Sequence, residues 1–143
     1  MAVRVLVVVF AIAVIVLGVT RLHAQHRCDD AGQTLKVALL LNRQPAGGLD
    51  ATLKQMTDNC HENAPIEGTS LAMTARGERA RAIALANFLI HRAPDSQDGY
   101  VALAEALPAR DPRRAAVVKR LHVLNPRAVL PPVPRARPLR PSS

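Results

Sequence analysis

Aromatic side chains are nearly missing from this chain: 143 residues hold no Trp, one Tyr and two Phe. Phe10 lies in an apolar start, which leaves Phe88 and Tyr100 for everything else. Proteins that hold single-stranded nucleic acid stack bases on aromatic platforms. The scarcity therefore argues against nucleic acid, although the formal charge is +8 and the pI about 11.0. The arginines are spread along the whole chain, so they form a solvated basic surface and no reading stripe. Catalytic signatures are missing too. There is no nucleophile elbow, phosphate loop or zinc-binding helix motif. Glu62 and Glu67 flank a proline with no partner acid in any readable pattern, and His23, His26 and Cys28 lack further ligands nearby. His61, His91 and His122 fall at or near helix ends, where a cation suits the dipole. The expectation is a chain that is no enzyme and uses no metal or cofactor.

Alanine and leucine dominate what is present, which suits close helix packing and not a sheet. The first 24 residues are almost all apolar, and Val5 through Thr20 is an unbroken run. With Met1–Val3 added the segment is about 28 Å long as a helix, close to the hydrocarbon thickness of a bilayer. Signal-peptidase sites are poor here: a cut after Ala24 puts Leu22 at the third position, and a cut after Gly18 puts Val16 there. An uncleaved single-pass anchor over residues 1–24 is expected. Basic residues beside the span favour the cytoplasm weakly, with Arg4 before it and Arg21 and Arg27 after it.

The only cysteines, Cys28 and Cys60, argue for the opposite side. Asp29 and Asp30 read as an acidic helix start, with Leu35, Leu39 and Val37–Leu41 as an apolar face. Pro45 and Gly47-Gly48 break that helix. Asp50 can cap the next one, which carries Leu53 and Met56 on one face. Cys28 thus opens one helix and Cys60 closes the next, and an antiparallel hairpin brings those two ends together. A disulfide is predicted. It would stabilise by about 3–4 kcal/mol on the chain-entropy argument and places the domain in an oxidising space outside the cytoplasm.

Residues 65–127 repeat themselves at an offset of 32. Leu71, Ala72, Arg81, Ala84, Leu89 and Pro94 recur as Leu103, Ala104, Arg113, Ala116, Leu121 and Pro126. A fixed period of a few tens of residues is the mark of stacked hairpins. A helix is expected from about Thr69 to Arg76-Gly77 and a second from Glu78 to Pro94. A third follows a cap at Asp95 or Ser96 and breaks at Pro108. The fourth starts at Asp111-Pro112 and stops at Asn125-Pro126.

These residues resemble the tetratricopeptide repeat family. Leu71-Ala72 and Leu103-Ala104 match its leucine and small residue, and Tyr100 stands where a large aromatic often precedes that pair. Gly77 matches the turn glycine, Ala82 the small residue of the second helix, and Pro94 and Pro126 the closing proline. The departures are a period of 32 against the family's 34, Ala109 in place of the second turn glycine, and Arg114 near the second small position. The resemblance implies an all-α fold of two to three antiparallel helical hairpins after the membrane helix, with residues 25–64 as a divergent first hairpin. It also implies a concave groove for a protein partner, lined in family register by Thr69, Met73 and Arg76, then Asp98, Val101 and Glu105.

Residues 128–143 close the chain with prolines and arginines and cannot pack a core. A disordered tail is expected, its arginines open to anionic lipid or wall polymer. The functional expectation is a membrane-anchored interaction module or adaptor in a bacterial envelope complex. The alternatives are an accessory subunit of an envelope glycan-polymerising or transport enzyme, and a secreted basic protein that binds anionic polymer.

Overall fold

The computed structural model describes residues 2–41, 43–45 and 47–128, and the side chains from Leu6 onward. Six helices follow one another with no strand among the described residues: α1 (Ala2–Leu41), α2 (Leu49–Asn59), α3 (Ala64–Ala75), α4 (Arg79–Arg92), α5 (Gln97–Ala106) and α6 (Pro112–Leu124). The expected tail lies outside the described residues from 129 on.

The first correction concerns α1. The apolar run and the first domain helix are one unbroken helix of 40 residues. Asp29 and Asp30 do not start a helix. They sit inside it, exposed, where an aspartate costs only its modest helix propensity. Nothing between Ala2 and Leu41 is a proline, so nothing forces a break. Two further starts differ. The N-cap of α2 is Gly48, and Asp50 falls in the first turn, where it pairs with Arg81. Helix α3 begins at Ala64, five residues before Thr69, because Pro65 fits the first turn of a helix.

The other boundaries follow the local chemistry. The Ser96 and Asp111 hydroxyl and carboxylate oxygens accept from the backbone N–H groups of Asp98 and Arg113 and cap α5 and α6. Gly77 takes φ +84° after α3. Its N–H donates to Thr74 O at 3.1 Å and that of Glu78 to Met73 O at 2.9 Å. This is the paired-bond ending that favours glycine at its left-handed position.

Each odd-numbered helix packs on the next: α1 touches α3, and α3 touches α5. The even helices lie beside their partners, α2 on α1, α4 on α3 and α5, and α6 on α5. One core cluster joins Cys28, Ala31 and Leu35 of α1 to Leu53 and Met56 of α2, Ile66 and Met73 of α3, and Ala82, Leu85 and Leu89 of α4. A smaller one joins Ala86 of α4 to Ala102, Leu103 and Leu107. Small residues let α4 and α5 meet closely. A Cβ on Gly99 would come within 2.7 Å of the Ile90 side chain and 2.8 Å of its backbone nitrogen.

The cysteines form the predicted disulfide, with Cα atoms 4.9 Å apart. Arg92 at the end of α4 adds a second tie there, donating from Nη1 to the Cys60 carbonyl.

Candidate partner-binding face

Helix α3 is covered on three sides, by α1, α4 and α5. Its buried positions show how it is turned. Ile66, Thr69, Ser70 and Met73 all point inward, and Ser70 Oγ donates to Ala82 O of α4 at 2.9 Å. Glu67 approaches Asp98 of α5 closely enough for the two charges to interact. The remaining side is open. Ala64, Gly68 and Ala75 are exposed there, with Leu71 and Ala72 half-buried beside them. Positions 64, 68, 71, 72 and 75 share one helical face.

This corrects the expected groove. Met73 is 0% exposed and Thr69 6%, so neither offers its side chain to a partner. Thr69 Oγ1 is occupied by Pro65 O at 2.9 Å. The repeat register placed both on a concave surface, but in so short an array α3 is flanked by helices on both sides, and its exposed arc is narrower. Ala64, Gly68 and Ala75 carry no polar or large side chain to mark them as a surface, and so escaped notice.

The α5 half of the expected set is different. Asp98, Val101 and Glu105 are half-buried and lie on one face of α5. Asn63, the N-cap of α3, donates from Nδ2 to Asp98 Oδ2 at 3.0 Å, so Asp98 also clamps the two helices together. Burial, then the Asp98 charge, pushes the Glu67 carboxyl above its usual range. Burial likewise raises Glu105, opposed by Arg114. The Oε1 atom of Glu105 is buried and has no hydrogen-bond partner among the described residues.

Arg76 is exposed at the end of α3, away from this face. It lines a separate cleft of about 320 Å³ with Arg43, Glu78 and Arg81. There Arg81 donates to Asp50 at 2.7 Å and to Glu78 at 2.7 Å, holding the Asp50 carboxyl below its usual range. That network ties α2 to α4.

The motif residues serve packing. Ala82, Leu103 and Ala104 are buried, and Leu71 and Ala72 half-buried. Tyr100 donates its hydroxyl to Pro94 O at 3.2 Å, which fixes the link between α4 and α5. Pro94 and Pro126 follow the ends of α4 and α6. Cys28 is oxidised, so its sulfur is not a thiolate ligand for a metal.

At the other end, α1 has an 18-residue stretch of mean hydropathy 2.4 with no residue buried by the other described residues. It is long and apolar enough to cross a membrane, and a signal sequence meets the same description. No family model, curated protein or solved structure matches this chain.

Proposed function

We propose that this chain is a membrane-anchored interaction module whose hairpins stack in the tetratricopeptide manner and present one open face to a protein partner. The adjacency of α1, α3 and α5 carries this reading: three first helices side by side, two of them bearing uncovered surface at Ala64, Gly68, Leu71, Ala75, Val101 and Glu105. Small side chains on α3 let a partner backbone come close, and Val101 adds apolar area. The half-buried carboxylates Glu67, Asp98 and Glu105 favour a partner segment that brings donors or positive charge.

Anchoring is supported by the exposed apolar surface of α1. Phe10 is 70% and Leu17 65% exposed, and the folded domain supplies nothing to cover them. The disulfide supports an oxidising compartment for the domain, since cytosolic thiols are kept reduced.

The test is recovery of a partner from mild detergent using the full chain. Gly68→Arg puts a large charged side chain on the open face, where nothing lies within 4 Å of a Cβ, and arginine is the better helix former. Gly68→Arg and Val101→Asp should each abolish recovery, and Val123→Asp on α6 should leave it intact. Recovery should also survive moderate salt, which screens exposed charge. Equal recovery by all three variants contradicts the face. Met73→Asp is unsuitable, since it buries a charge in the core and reads folding instead.

A further inference from the structure

The link between α2 and α3 is held against α1 by the disulfide, and the bond from Arg92 to the Cys60 carbonyl ties it to α4. Beside it opens a cleft of about 330 Å³, between Arg21, Gln25 and Asp29 on α1, Asn59 at the end of α2, and His61 and Glu62 on the link. Residues 21, 25 and 29 form one stripe of α1, at intervals of four. Arg21 directly follows the apolar run, which ends at Thr20. Asp29 lies eight residues farther on, about 12 Å up the helix axis. Because α1 is unbroken, the cleft keeps a fixed height above the apolar segment. With that segment in a bilayer, the reading proposed above, the mouth of the cleft opens in the headgroup layer, roughly 5–8 Å thick on each side.

The charges are ordered. Arg21 adjoins the apolar run, and Asp29, eight residues on, lines the cleft with His61 and Glu62. A phosphoethanolamine headgroup has the complementary order, its phosphate fixed to the glycerol and its ammonium beyond. Arginine suits the phosphate by geometry and charge. A carboxylate suits an ammonium that still carries N–H donors, which a choline lacks. A glycerol headgroup offers no cation at all.

We propose that this juxtamembrane cleft binds the headgroup of an ethanolamine phospholipid, with Arg21 on the phosphate and Asp29 and Glu62 on the ammonium. The arginine beside the span is then a lipid ligand. This removes the conflict between a basic flank that favours the cytoplasm and a disulfide that favours the outside. Lipid held there seats the domain directly on the membrane.

The test uses the full chain reconstituted in nanodiscs of equal phosphatidylethanolamine, phosphatidylglycerol and phosphatidylcholine, then released in mild detergent for native mass spectrometry. The wild-type chain should retain phosphatidylethanolamine over both others. Asp29→Asn with Glu62→Gln should cut the preference over phosphatidylglycerol by roughly tenfold for each charge-assisted bond removed. Arg21→Gln should lower retention of all three phospholipids, and Lys36→Gln, outside the cleft, should change nothing. The disulfide and helix content of each variant are checked first by non-reducing gel and circular dichroism. Preference for phosphatidylglycerol, or the same retained lipid in wild type and the double variant, overturns the headgroup site alone. A chain that fails to enter nanodiscs overturns the anchor and this site together.

Discussion

The hairpin of α1 and α2 is shut by a covalent bond and by Leu35, Leu53 and Met56 in the main core, whereas α6 of the last hairpin buries only Leu121. Both are end units, with a neighbour on one side alone. In a stacked array each unit depends on its neighbours, so an end needs some further device. At the first end the device is the disulfide, backed by the Arg81 bridge to Asp50 across helices. At the last end it is polar and exposed: Arg120 to Asp95 at 3.2 Å, and Asn125 to Gln97 at 2.7 Å. Exposed ion pairs contribute little. The outer face of α6 stays open, with Val123 65% exposed beside a shallow depression that also takes in Ala115 and Val118. The helices should therefore open from α6 first, with the disulfide-bonded end as the most durable part.

That contrast can be broken most strongly at the disulfide. Reduction, or Cys28→Ser with Cys60→Ser, should lower stability by about 3–4 kcal/mol, read as a fall in Tm by circular dichroism in detergent. Exchange of α1 and α2 amides should rise most. Leu121→Ala should cost about 2–3 kcal/mol, at the low end for a buried leucine because an end helix can shift to close the cavity. Its exchange signature should be confined to α5 and α6, and Val123→Ala should change Tm by no more than a degree or so. If Leu121→Ala loosens α2 as much as α6, the two ends are not independent.

Smaller effects sharpen the middle of the array. Gly99→Ala should cost about 1–2 kcal/mol, since the new methyl meets the Ile90 backbone and α5 must move away. Ser70→Ala leaves the Ala82 carbonyl short of a donor and should cost about 1 kcal/mol. The least effect is expected at Glu105. Burial raises its carboxyl, so the folded chain favours the protonated form. That contribution is present at low pH and is lost as pH rises through the raised value. Glu105→Gln should melt slightly above wild type at neutral pH and equal to it below the usual glutamate range. A gain that persists at low pH would assign the effect to something other than charge.

Helices were legible wherever a breaker or cap stood at the boundary. Gly77, Ser96, Asp111-Pro112 and Asn125-Pro126 mark ends that the structure reproduces within a residue or two, because each acts through local backbone chemistry. The cysteine pairing was legible because the antiparallel turn at Pro45–Gly48 folds α2 back along α1 and brings Cys60 to Cys28, although Cys28 lies within α1 and not at its start. Less legible was the fusion of the apolar run with the first domain helix. Asp29-Asp30 carries the composition of a helix start, but a start also requires the preceding residue to leave helical geometry, and nothing there compels it. The candidate face was half legible. Asp98, Val101 and Glu105 stay on the surface, while Thr69 and Met73 are buried, because the facing of α3 is set by contacts with both α1 and α5 and not by its own sequence. The cleft beside the disulfide was not legible at all, since it joins Arg21 and Asp29 to His61 and Glu62, more than thirty positions away.

The proposal of a stapled domain outside the cytoplasm, carried on a continuous helix, is tested most directly by thiol accessibility. Cells making the full chain are quenched in acid and denatured, then treated with a maleimide-linked polymer before or after reduction. The account predicts no gel shift before reduction and a shift of two polymers after it. Two polymers attached without reduction would contradict it, placing both thiols free in a reducing compartment.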